Sequence, residues 1–129
     1  MIIVVGESLG KGGTRSHLAS LFGVSVPEMM ARVLWINLWE YQYTTTSLYV
    51  EAIERMAREE DHVLLLGRRV VRAFGLADRG PFEVVSRNAG LGPLIVPVPH
   101  PSGLNRWYNA PAHRVAAESV LRSIWRITL

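Results

Sequence analysis

The chain has 129 residues, 49% hydrophobic and 19% charged, an ordinary globular balance and enough for one domain spanning 1–129 with a sizeable core, but not for two. Fourteen Lys and Arg against eleven Asp and Glu give a net charge of +3; Lys11 is the only lysine, so the basic charge is almost wholly guanidinium, which suits bidentate phosphate contacts. The lack of cysteine excludes disulfides, iron–sulfur clusters and thiolate zinc sites, and His17, His62, His100 and His113 show no paired ligand spacing, so no metal is expected.

Met1-Ile2-Ile3-Val4-Val5 is continuous in branched apolar residues, as in a strand buried on both faces of a parallel sheet. It is too short for a secretion signal or a membrane span, so a cytoplasmic protein with no membrane partner is expected. A glycine-rich loop follows over 6–15, and 16–22 reads as a short helix closed by Gly23. Strand, glycine loop and helix start make a corner that favours anions through backbone N–H groups. The loop has neither the GK[ST] ending of a Walker motif nor the GxGxxG dinucleotide spacing, which counts against a nucleotide cofactor. None is expected.

Val26-Pro27-Glu28 opens a further helical turn, and 32–38 is a second buried strand in which Asn37 is the exception among the residues after Arg32. A planar amide at a strand end serves either as a satisfied structural group or as a reader of a base edge. The aromatic and threonine-rich stretch over 39–46 is a loop. Ser47 then caps a helix over 48–60 that turns Leu48, Ala52, Ile53, Met56 and Ala57 to the core. A third buried strand over 62–66 turns at Gly67 into a helix over 68–74, stopped by Gly75, with Arg68, Arg69 and Arg72 as a face that is either solvated or in contact with phosphate. The 80–86 stretch is a small strand or hairpin, and Leu91-Gly92-Pro93 leads into a fourth strand. The last helix, over 112–126, turns Val115, Ala116, Val120, Leu121, Ile124 and Trp125 inward and carries a solvated His113 on its first turn. Strands that alternate with helices predict an α/β fold: a three-layer α/β/α sandwich around a four-stranded parallel sheet.

The fourth strand begins as Leu94-Ile95-Val96 with Val98, and Pro97 and Pro99 are expected to stop its ladder. The loop beyond holds His100 between two prolines, whose fixed φ angles set its direction. Ser102, Leu104, Asn105, Arg106, Trp107, Tyr108 and Asn109 follow. A core-stabilising loop has no use for such a run, whereas a loop pressed on a nucleic acid uses Arg for phosphate, aromatics for stacking and Leu as a wedge. In open α/β sheets this carboxyl edge is where ligands bind.

His100-Pro101-Ser102-Gly103-Leu104-Asn105-Arg106 resembles the second motif of the uracil-DNA glycosylase superfamily, a His-Pro-Ser or Asn-Pro-Ser loop that enters the minor groove. Gly6-Glu7-Ser8-Leu9-Gly10 is similar to its first motif in the Gly-Glu-Ala-Pro-Gly form. Val33-Leu34-Trp35-Ile36-Asn37 resembles the strand whose terminal Asn reads the flipped base, and Val63-Leu64-Leu65-Leu66-Gly67-Arg68 the third strand and its turn. The likeness covers nearly the whole chain in the right order.

The resemblance implies a monofunctional DNA glycosylase of the repair type, acting as a monomer on uracil or another modified base flipped out of DNA, and DNA as partner. His100 would hydrogen-bond the carbonyl of the departing base and stabilise its anion; Glu7 and Ser8 would lie near the attacking water. Gly6 and Asn37 would hold the base, with Trp39 and Tyr41 the candidates for stacking on it. Ser102, Gly103, Leu104, Asn105, Arg106 and Trp107 would contact DNA, Leu104 as the wedge. Ser8 stands where many relatives carry Asp or Asn, and Leu9 replaces their proline, which leaves Glu7 as the remaining acid of that motif. Two other readings are a non-catalytic nucleic-acid or nucleotide binder of the same fold and a hydrolase of a modified mononucleotide.

Overall fold

The computed structural model describes residues 1–7, 13–38, 46–86, 90–101 and 105–128. In chain order these form β1 (Ile2–Gly6), α1 (Thr14–Phe22), α2 (Val26–Arg32), β2 (Val33–Asn37), α3 (Thr46–Met56), β3 (His62–Leu66), α4 (Arg68–Ala73), β4 (Val85–Ser86), β5 (Leu94–Val98), a 3₁₀ turn (Arg106–Asn109) and α5 (Pro111–Ile127). The sheet runs β2-β1-β3-β5-β4. Its first four strands are parallel and β4 pairs antiparallel with β5 through Val85↔Ile95 and Ser86↔Leu94. The sheet therefore has five strands rather than the expected four. The extra one is two residues long, too short to leave a periodic signal.

β1, β3 and β5 bury both faces, which is why they read as runs rather than alternations, whereas β2, expected to be buried, is a half-buried edge strand with Leu34 exposed. Ile2, Val4, Leu64, Leu66, Val96 and Val98 face α1, α2 and α5 through Leu18, Met29, Ala117 and Leu121. Ile3, Val5, Val63, Leu65 and Ile95 face α3 and α4 through Ile53, Val70 and Val71. Helix ends follow local chemistry. α2 starts in a capping box, with Glu28 N–H donating to Ser25 Oγ at 3.2 Å and Glu28 Oε1 accepting from Ser25 N–H at 3.4 Å, while Gly23 closes α1 at φ 79.

Three expectations need correction. Pro97 does not end the ladder: β5 continues to Val98, with Pro97 registered opposite Leu65 of β3. The N and C=O of one strand residue point to the same side, and the Pro97 carbonyl points to the far side of β5, where it accepts from Phe82 N–H at 2.7 Å. The missing N–H is thus on the side where β3 needs nothing. On α5 the inward stripe is Ala117, Leu121, Ile124 and Trp125, with Val120 partly buried, whereas Val115 is 65% exposed and Ala116 is exposed. On α3, Ile53 is buried and Val50 and Ala57 pack beside it, while Ala52 and Met56 face outward. The expected stripes thus hold at Val120, Leu121, Ile124 and Trp125 and at Ile53 and Ala57, and fail at Val115, Ala116, Ala52 and Met56. No helix among the described residues is long and apolar enough to cross a membrane.

Candidate functional site

The chain runs from β1 out to β2 and then back past β1 to β3, so the strand order reverses between β1 and β3. Loops leaving the carboxyl ends of strands diverge at such a reversal and leave a crevice. Glu7 follows β1 there and Arg69 stands on α4 after β3; their ion pair, Nη1 to Oε2 at 3.5 Å, spans the reversal.

Gly6 and Asn37 are paired in register at the ends of β1 and β2, and Leu38 N–H donates to the Gly6 carbonyl at 2.9 Å. The Asn37 amide lies over Gly6: a Cβ at position 6 would be 3.2 Å from Asn37 Oδ1, so any side chain there would push the amide from its place. Trp35, two residues earlier and so on the same face, donates from its indole Nε1 to Asn37 Oδ1 at 3.0 Å. An indole N–H only donates, so it fixes which end of the amide is oxygen. The Asn37 Nδ2 group has no partner among the described residues, and the oxygen keeps a second lone pair. The guanidinium of Arg15 lies 5.3 Å from the centre of the Trp35 ring. Trp35 as the residue that orients Asn37 was missed in the sequence, although the two-residue spacing on a strand was the signal for it.

His100 is half-buried against Gly67 at the end of β3. A Cβ on Gly67 would meet His100 Cδ2 at 3.2 Å, and Gly67 has φ +93 besides. Two independent reasons therefore require glycine there. The backbone around His100 is held from below. Tyr108 Oη donates to the Pro99 carbonyl at 2.6 Å, and Asn105 Nδ2 donates to the His100 carbonyl at 2.9 Å. Asn105 also caps the 3₁₀ turn, its Oδ1 accepting from Trp107 N–H at 3.0 Å. With its backbone pinned, the His100 ring has no hydrogen-bond partner among the described residues. Burial raises the Tyr108 phenol well above its ordinary value, so it remains a donor.

Below Tyr108 lies His17 of α1, its ring edge-on to the Tyr108 ring at 4.8 Å. Its Nε2 is 3.3 Å from Arg114 Nη1. A guanidinium cannot accept, so Nε2 does, which leaves the proton on Nδ1, buried with no hydrogen-bond partner among the described residues. Burial, and then the Arg114 charge, push this histidine below its ordinary value, against the opposing pull of the Pro101 carbonyl.

Trp107, expected to face DNA, is half-buried. His113 covers one face of its indole, the rings 4.3 Å apart and 13° from parallel, and His113 Nδ1 donates to the Trp107 carbonyl at 2.8 Å. His113 is exposed but not merely solvated as expected. It clamps the 3₁₀ turn. Arg106 is exposed and has no partner among the described residues. Ser8, Trp39, Tyr41, Ser102, Gly103 and Leu104, expected to complete the site, lie outside the described residues.

On its α4 side His100 borders a cleft of about 800 Å³, lined also by Arg68, Arg72, Arg79, Asn105 and Trp107 over a floor of Val71, Pro97 and Val98. Gly6, Glu7 and Asn37 do not line it. The far wall is the turn at Gly80 and Pro81, beyond which Phe82 has φ 58. A bulky side chain at positive φ is an outlier; here the bond from Phe82 N–H to Pro97 and the packing of its ring 5.9 Å from Trp107 hold it.

The geometry gathers Gly6, Glu7, Asn37, Gly67 and His100 at one sheet edge: one amide oriented at β2, one imidazole held by its own backbone at β5 and one carboxylate beside a guanidinium between them. Such a set can bind a planar hydrogen-bonding ligand and stabilise negative charge on it as it leaves. No protein-family model matches the chain, and a search of curated proteins returns no match.

Proposed function

We propose that this protein is a DNA glycosylase with a uracil-DNA glycosylase-like three-layer α/β/α architecture, which hydrolyses the N-glycosidic bond of uracil or another modified base in DNA. The observation that carries the reading is the His100 segment: an imidazole whose ring has no hydrogen-bond partner among the described residues, braced through the carbonyls of Pro99 and His100, and set at the same carboxyl edge of the sheet as the Gly6–Asn37 pair.

In the proposed reaction the base leaves the duplex and is held at the edge. The bond from the sugar C1′ to the base nitrogen breaks with its electron pair on the base, whose carbonyl oxygen gains negative charge. An N–H of His100 donates to that oxygen, and its position fixed in advance means little reorganisation is needed as the charge develops. Asn37 reads the pyrimidine edge through Nδ2 and the free lone pair of Oδ1, which requires the orientation Trp35 gives it. Glu7 lends negative charge to the sugar cation, and with Ser8 it flanks the water that adds to C1′ and whose released proton neutralises the departed base anion. Leu104 fills the vacated stack, and Arg106 holds phosphate.

Oligonucleotides carrying a panel of modified bases, scored as abasic sites, test this directly. Release from at least one of them is expected, falling about 10²- to 10³-fold in His100→Ala, the usual effect of losing one such donor. Release equal in the variant, or from none of the panel, counts against the enzyme. Turnover of a free nucleotide but not of the oligomer moves the substrate to a mononucleotide.

A further inference from the structure

The cleft beside His100 has a feature that base chemistry does not use. Its lining includes three arginines and no carboxylate. Elsewhere the described arginines are mostly engaged within the molecule: Arg32 on Trp125, Arg55 on Glu51, Arg69 on Glu7, Arg114 and Arg122 on Glu118. Arg79, at the cleft's rim, is answered by Glu83 at 3.2 Å. Arg68 and Arg72 are exposed and have no hydrogen-bond or ion-pair partner among the described residues. Four apart on α4, they share a face about 6 Å apart along the axis, where like charges repel each other mildly. Two uncompensated guanidiniums on one wall of a concave site call for an anion from outside.

The rest of the lining says which anion. Pro81, Pro99 and the half-buried Trp107 add apolar, flat surface to the cleft that the arginines share. Inorganic phosphate would leave that surface bare and the volume mostly empty. A chain with charge along one side and planar apolar groups along the other would fill it.

We propose that the cleft carries the single nucleic-acid strand that runs on from the reacting nucleotide, its phosphodiesters on Arg68 and Arg72 and its sugars and bases along the proline and Trp107 wall. The proposal rests on the glycosylase reading for its direction, since the strand enters beside His100, but it concerns binding and not base release.

The test uses a fluorescently labelled thymidine oligonucleotide with no cleavable base, titrated by anisotropy over a range of salt concentrations, with thymidine monophosphate and inorganic phosphate as competitors. The Arg68→Ala/Arg72→Ala double variant is expected to bind at least about tenfold more weakly at moderate salt, the scale of one lost charge-assisted hydrogen bond. It should also flatten the slope of log affinity against log salt by about 1.4, at about 0.7 for each single-strand phosphate released. Arg68→Lys/Arg72→Lys should keep the slope, because charge and not fork geometry sets it. Arg126→Ala, on the exposed end of α5, should change neither. An unchanged slope in the double Ala variant, or no oligonucleotide binding by the native chain, overturns the proposal. Competition by the monophosphate as strong as by the oligomer, with the same dependence on Arg68 and Arg72, overturns the strand in favour of a free nucleotide. Base release is scored separately: a native chain that binds through these arginines and releases no base keeps the cleft and loses the glycosylase.

Discussion

The two ends of the sheet are finished differently. At the amino end, Asp61 is buried and uses both carboxylate oxygens, Oδ1 accepting from the Met1 ammonium and Oδ2 from Arg58 N–H, each at 2.9 Å. Its carbonyl accepts from Leu94 N–H at 3.2 Å, and His62 N–H donates to the Met1 carbonyl at 3.1 Å. Burial opposes ionisation of Asp61, yet the Arg58 N–H and the ammonium outweigh it and hold the carboxyl below its ordinary value. At the carboxyl end the backbone is closed just as well, by Tyr108, Asn105 and the Leu38-to-Gly6 bond. The side chains are not. The His100 ring, the Asn37 Nδ2 group and the Arg68 and Arg72 guanidiniums have no partner among the described residues. One end stabilises the fold with its polar groups; the other holds its frame rigid and leaves hydrogen-bonding capacity for a ligand, which is the pattern of a preorganised site.

The contrast breaks most visibly if the edges respond alike to substitution. Leu104→Ala is expected to lower release from paired duplex by about 10²-fold and from a single strand only slightly, because unstacking costs a few kcal/mol and only the wedge offsets it. Matched substrates measured side by side check this, and equal losses on both would remove the wedge. Asp61→Ala leaves the Arg58 N–H unpaired and should cost about 1–3 kcal/mol of stability in urea unfolding. Gly67→Ala should act at both levels, about 1 kcal/mol or more of strain at φ +93 together with slower release as its methyl pushes His100 aside. Undiminished release in Gly67→Ala without a stability cost would contradict the packing.

The smallest effect is on pH. His17 beneath the carboxyl edge and His62 at the amino edge both lie below their ordinary value, each chiefly through burial. A depressed histidine is neutral in the fold and takes up its proton more readily when unfolded. Its stabilising contribution is therefore complete above the unfolded value near 6.5, declines as pH falls through that value, and levels off below the folded one, at no more than about 1.4 kcal/mol per pH unit for each group. Unfolding free energy measured from pH 8 to 5 should fall, and His17→Gln should remove part of the fall. Stability that rises toward pH 5 would contradict the assignment.

Much of this was legible in the residues. The buried strands announce themselves as branched runs, and His100, Gly6 and Asn37 were expected at the carboxyl edge where they lie. What could not be read depended on contacts distant in sequence. Pro97 looked like a ladder stop because the side to which its nitrogen points depends on the neighbouring strand. The stripes on α3 and α5 were right at Ile53, Leu121, Ile124 and Trp125 and wrong at Ala52 and Val115, since Val50 and Ala117 fit the period as well and only packing chooses between them. Nothing local shows that His113 stacks on Trp107. Arg68 and Arg72 were seen as a basic face, but that Arg69 beside them pairs with Glu7 while they do not comes from the β1–β3 reversal.

The most direct measurement of the central claim is the rate of base release per folded molecule for native protein, His100→Ala and Asp61→Ala on the same modified oligonucleotide. The expected result is a loss of about 10²- to 10³-fold for His100→Ala with its unfolding midpoint unchanged, and an unaltered rate for Asp61→Ala with its midpoint lowered. Equal rates for native protein and His100→Ala, or a rate lost in proportion to stability in both variants, would contradict the assignment of function to the carboxyl edge.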